Sequence, residues 1–98
     1  MAVNTFKLAQ TGSTIRVAAI GTYARWVIFL NYAAGAMYVG DANVSSTQGD
    51  YVAPVATNVP GRVTYGPLGD SSMHYDLGQF STTGTSTQNL TVIYDSMS

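Results

Sequence analysis

Ninety-eight residues make one domain, with room for a single core that hides only about 60–70% of the surface its unfolded chain exposes. Charged residues are 9% of the chain against roughly a quarter in an ordinary soluble domain; the net charge is −1, there is no Glu, and the four cations (Lys7, Arg16, Arg25, Arg62) are scattered. That pattern excludes the basic stripe that nucleic-acid binding requires. The absence of cysteine excludes disulfides and thiolate metal sites.

In chain order, residues 3–8 predict a first strand or an arm within residues 1–10, ending at the turn cluster Gln10, Thr11, Gly12, Ser13. The N-terminus lacks a basic region followed by a long apolar core, so the mature chain is expected to begin near Met1. Residues 14–17 alternate as a half-buried strand does, with Ile15 and Val17 on one face and Thr14 and Arg16 on the other. Residues 23–32 are dense in aromatic and branched side chains (Trp26, Val27, Ile28, Phe29), which suits a central strand buried on both faces. Their longest apolar run, residues 26–30, is far short of the roughly 20 residues that span a bilayer as a helix, so no membrane partner is expected. Ala33, Ala34 and Gly35 predict a turn into Met37, Tyr38 and Val39, which makes residues 23–39 a hairpin at the centre of the sheet.

Beyond residue 50, Pro54, Pro60 and Pro67 forbid long central strands and predict edge strands and extended loops. Residues 61–65 and 73–77 are expected as short strands flanking a turn at Gly69, Asp70, Ser71 and Ser72. A polar loop over residues 81–87 leads to a last strand with Leu90, Val92 and Tyr94 on one face and Thr91 and Ile93 on the other. The fold class is therefore all-β: one domain over residues 1–98, a single antiparallel β-sandwich or small barrel of about seven to eight short strands.

Chemistry is sparse. His74 is the one histidine, there is no Gly-x-Ser-x-Gly elbow, and acid–base or nucleophilic catalysis needs paired groups, so no catalytic residue and no enzyme activity are expected. The five aspartates (Asp41, Asp50, Asp70, Asp76, Asp95) mostly sit where turns use them. Asp41, Asn43 and Ser45 mimic the start of a calcium loop. Ser46 replaces the sharp-turn glycine, however, and no Glu supplies the last ligand, so neither metal nor cofactor is expected. Asn43-Val44-Ser45 and Asn89-Leu90-Thr91 match the glycosylation acceptor pattern by chance. A surface this poor in charge implies either Ser, Thr, Asn and Gln solvating it or extensive assembly. Seven tyrosines exceed the needs of a small core. Tyr51, Tyr65 and Tyr75 are candidates for a protein interface or sugar stacking, the alternative being rings packed inward.

Two stretches carry a resemblance. Met37, Tyr38 and Val39 run into Gly40-Asp41, then Asn43-Val44-Ser45, then Gly49. Near the C-terminus Tyr75, Asp76 and Leu77 lead through Gln79, Phe80 and Gly84-Thr85 to the strand at residues 90–94. Together they cover about half of the chain and resemble small β-structured virion proteins of tailed bacteriophages, the capsid decoration (cement) and head-fibre proteins. The chain departs from that pattern at Ser86, where a second glycine is expected, and at Asp50-Tyr51, where an aliphatic pair is usual. The resemblance implies a homotrimer on the outer capsid surface of the virion, stabilising contacts between major capsid protein subunits. Apolar residues of the arm (Val3, Phe6, Leu8) and of the proline-rich segment (Val52, Pro54, Val55, Val59) would make the contacts, with Tyr51, Tyr65 and Tyr75. It also leaves open a head-fibre or tail-fibre module that binds host glycans, and a neck or tail-completion protein.

Overall fold

A computed structural model of the chain describes residues 2–66 and 74–96. Among the described residues nine strands form two antiparallel sheets packed face to face, a small β-sandwich: β1 (Ala2–Ala9), β2 (Ile15–Arg16), β3 (Tyr23–Asn31), β4 (Met37–Gly40), β5 (Asp50–Val52), β6 (Gly61–Tyr65), β7 (Tyr75–Asp76), β8 (Ser81–Thr83) and β9 (Asn89–Ser96). The first sheet runs β1-β9-β3-β6, with β7 also on β3; the second runs β2-β8-β4-β5. Tyr75–Asp76 and a 3-10 turn at Leu77–Gln79 replace the expected strand over residues 73–77. Met73, Pro67 and the predicted turn at residues 69–72 lie outside the described residues.

Residues 2–9 are a strand, not an arm: all eight pair with β9, from Ala2 opposite Ser96 to Ala9 opposite Asn89. The central hairpin, by contrast, does not form. β3 pairs with β6, β7 and β9, whereas β4 pairs with β5 and β8 in the other sheet. The cause is the side chain of Asn31, fully buried at the end of β3. Its Oδ1 accepts from the N–H of Ala33 (2.9 Å), an Asx turn that bends the backbone as soon as the strand ends. Its Nδ2 donates to the carbonyl oxygens of Gly35 (2.8 Å) and, across the sandwich, Val52 (3.2 Å). The corner is held further by the N–H of Val55 donating to the Ala33 carbonyl oxygen (3.0 Å).

Other crossings use the same device. Gln10, buried after β1, accepts from Thr82 Oγ1 on β8 through its Oε1 (3.1 Å). Asp76 Oδ1 accepts from the N–H of Gly78 (2.9 Å) and of Gly21 (3.0 Å), pinning the β7–β8 crossing to the β2–β3 crossing. There a Cβ on Gly78 would stand 2.3 Å from Ile20 Cα, so only glycine lets the two backbones meet.

Between the sheets lies one core of Val17, Ala24, Val27, Phe29, Met37, Val39, Val52, Leu77, Leu90 and Val92. Alternation places Ala24, Val27, Phe29 and Asn31 of β3 on the inner face. Phe29 meets Tyr65 edge-on at 5.9 Å and Phe80 at the same distance, and Tyr75 closes the cluster 5.9 Å from Phe80. Replacing Asn31 by Ala leaves two carbonyl groups and one N–H without their partner, at roughly 1–3 kcal/mol for a buried orphan. Asn31→Ala is therefore expected to lower the unfolding free energy by about 2–4 kcal/mol in urea titration, whereas the exposed neighbour Tyr32→Ala should change it by less than about 0.5 kcal/mol.

Candidate docking face

The residues expected at an interface do not form one surface. Val52, expected as a contact residue, is instead fully buried opposite Met37 on the second sheet's inner side, out of reach of a partner. Phe6 and Leu8 point inward from β1 and pack on the core, as do Tyr65 and, through Phe80, Tyr75. Pro54 and Val55 are half-buried beside the Asn31 corner. Val3 (61% exposed), Tyr51 (55%) and Val59 (65%) are open to solvent, but on separate elements: β1, β5 and the tight turn at residues 56–59. Tyr65 donates a hydrogen bond to Asp50 Oδ2; burial first, then that bond and the charge of Asp50, raise its phenol well above the ordinary tyrosine range.

A continuous surface exists elsewhere, on the outward face of the first sheet. β3 and β9 alternate in phase, so the residues between their core positions face away from the core. Ile28 stands opposite Ile93 and Leu30 opposite Thr91, and none of Trp26, Ile28, Leu30 or Ile93 belongs to the core cluster. Register extends these rows across the sheet: Thr5, Ile93, Ile28 and Thr64 form one, and Lys7, Thr91, Leu30 and Arg62 the next. Branched aliphatics thus occupy the middle of the face, and Lys7 and Arg62, both exposed, stand at its two edges. The exposed aspartates Asp41 and Asp50 belong to the loop after β4 and to β5, in the other sheet.

The third row is irregular. Between Ala24 and Val27 the pairing of β3 with β9 slips by one residue, so Arg25 and Trp26 together oppose Asp95. Asp95 is 1% exposed, and among the described residues neither carboxylate oxygen has a hydrogen-bond partner. Its cross-strand neighbour on β1 is Val3. A buried carboxylate without a partner is a cost the fold carries at this face.

No family model, curated protein or solved structure matches this chain. The surface is therefore read from its own geometry.

His74 is exposed and meets Tyr23 edge-on at 4.5 Å. Asp41 Oδ1 accepts from the N–H of Asn43 (2.8 Å), closing a turn, and Ser45 Oγ lies against Thr47 Oγ1. Among the described residues no group of three or more His, Cys, Asp or Glu is placed to hold a metal ion, and no helix is long and apolar enough to cross a membrane. In the sequence the outward face is hidden, because the strong apolar content of residues 23–32 equally fits a strand buried on both sides. The signal that finds it is Ile93, an aliphatic residue on the side of the last strand opposite Leu90 and Val92.

Exchanging the Asp95 carboxyl group for an amide removes the acid group at constant shape. Asp95→Asn is expected to raise the unfolding free energy at pH 7 by about 1 kcal/mol or more, measured by chemical denaturation. A loss of stability would mean that Asp95 has a partner that holds the sheet together.

Proposed function

We propose that this chain is a non-enzymatic structural protein that docks on the outer surface of a tailed-phage capsid and stabilises the shell, as decoration or cement proteins do. The observation that carries the reading is the half-buried aliphatic row Ile28–Ile93, turned away from the core and extended by Leu30 and Trp26, on a sandwich whose whole chain is only 9% charged. A monomer exposing such a face has little charge elsewhere to keep it soluble. Docking would remove the face from water, and the lattice of the shell would multiply a modest gain per copy. The resemblance to small virion proteins, carried by the segments at residues 36–49 and 75–94, supplies the partner, the major capsid protein. It also supplies assembly as a homotrimer.

On this reading the contacts differ from those expected in the arm and the proline-rich segment. Of that set, Val3 remains in contact, at the end of the face beside Asp95. Lys7 and Arg62 flank the aliphatic centre, so the matching surface on the capsid protein carries carboxylates around an apolar patch.

The double variant Ile28→Thr with Ile93→Thr extends the threonines already present in the same row at Thr5 and Thr64, and it keeps β-branched side chains in both strands. Co-sedimentation with particles lacking this protein should show it binding at least about tenfold more weakly than the unaltered chain, roughly 1.4 kcal/mol. Its melting temperature should shift only slightly. Unchanged binding would remove this face from the proposal, and no binding by the unaltered chain would remove the capsid. Sedimentation equilibrium should give three times the 10.4 kDa chain mass for the trimer.

A further inference from the structure

We infer that a cleft on the other side of the sandwich binds a neutral saccharide, with the ring of Tyr38 as its stacking platform. The cleft is a shallow depression, open to solvent, of about 710 Å³, in the size range of small-ligand sites, roughly 300–1,000 Å³. Three loops enclose it: residues 12–14 after β1, residues 44–46 after β4, and residues 84–86 after β8. Tyr38 and Thr83, neighbours across β4 and β8, supply its floor.

The chemistry of the lining is one-sided. It contains no charged residue, so it offers no counter-charge to a phosphate, a carboxylate or an ammonium group. It is dominated instead by hydroxyls, which both donate and accept and so match the alternating needs of a polyol. Thr14 and Ser45 are already engaged, Thr14 Oγ1 donating to the Val44 carbonyl oxygen (3.1 Å) and Ser45 Oγ lying 3.3 Å from Thr47 Oγ1; they brace the wall. Ser13, Ser46, Thr83, Thr85 and Ser86 remain to face a ligand. An aromatic ring at the bottom of a hydroxyl-lined cleft suits a pyranose, whose C–H face is apolar and whose rim is hydroxyl.

The ring is fixed in place. Met37 and Val39 are fully buried on the inner face, so Tyr38 between them faces outward. Its ring rests against Tyr51, centroids 5.6 Å apart. The loops are fixed as well: the N–H of Gln10 donates to the Gln88 carbonyl oxygen (2.8 Å), and the N–H of Thr87 donates back to that of Gln10 (3.2 Å). Ser45 and Gln48 exchange backbone hydrogen bonds of 2.8 and 3.1 Å. A cleft formed before the ligand arrives avoids the cost of ordering loops on binding. Because Tyr38 faces outward from the second sheet, a chain docked through the first sheet presents this cleft away from the shell.

The test is titration of the isolated, isotope-labelled chain with maltotriose, cellotriose and tri-N-acetylchitotriose, read from backbone amide shifts. At least one probe should shift residues 12–14, 44–46 and 83–86 together, with a Kd on the order of 1 mM or tighter. Tyr38→Ala should weaken that binding about tenfold and Tyr38→Phe should keep it, since the ring and not its hydroxyl makes the platform. If Tyr38→Ala fails to fold, Thr83→Val, which keeps a β-branched residue and deletes one lining hydroxyl, should weaken binding at least threefold. No shift with any of the three probes, shifts centred elsewhere, or full affinity in the foldable variant overturns the inference. Because no capsid is present, none of these outcomes depends on the docking reading.

Discussion

A single buried carboxamide decides how this chain divides into two sheets. Once Asn31 Oδ1 is taken by the N–H of Ala33 and Nδ2 by the carbonyl oxygens of Gly35 and Val52, residues 32–36 turn away from β3 and deliver β4 to the opposite layer. A hairpin there would leave the same side chain buried and unpaired, at a cost of about 1–3 kcal/mol per orphaned group. Gln10 with Thr82, and Asp76 with Gly21 and Gly78, repeat the logic at other corners. Polar side chains at strand ends, tied across the sandwich, set the topology, while the aliphatic and aromatic core between the sheets supplies most of the driving force.

The outward face of the first sheet follows from that division. With β4 removed to the other layer, β3 takes β9 and β6 as its neighbours, and the residues they turn outward are Ile28, Leu30, Ile93 and Thr64. The same register brings Lys7 and Arg62 to the two edges and leaves Asp95 opposite a bulge with no hydrogen bond to its carboxylate. An aliphatic face and a buried carboxyl group without a hydrogen-bond partner among the described residues both reduce the stability of the free molecule, and features of that kind concentrate where a protein has a use for them. The second sheet turns outward a different surface, with Tyr38 and Tyr51 beside a hydroxyl-lined cleft. The two outer surfaces thus differ in chemistry: aliphatic with cationic edges on one, aromatic and hydroxylic on the other.

Strand identity was legible because it is a local property. The alternation of Leu90, Val92 and Tyr94, the density of branched residues around Phe29 and the prolines after residue 50 each act within a few residues, and β9, β3 and β5–β6 fall where they point. Pairing was not legible, because it depends on contacts between distant segments. The chain changes sheet at most of its connections, so sequence neighbours such as β3 and β4 are seldom sheet neighbours. Three of the expected contact residues point inward for a related reason. Val52, Phe6 and Leu8 are apolar residues in segments that look peripheral in sequence, yet alternation turns each of them inward. Ile93 and Ile28 carried the opposite signal, since two adjacent strands with aliphatics on the side away from the core mark a sheet with two apolar faces.

On the proposed role the chain is a virion component, and the most direct test is to count it in purified tailed-phage particles by quantitative mass spectrometry against the major capsid protein. A decoration role requires copies in fixed proportion to the capsid lattice, many tens to hundreds per particle. Absence from the particle would contradict it outright, and a count of a few copies would move the docking face from the shell lattice to a vertex, neck or fibre.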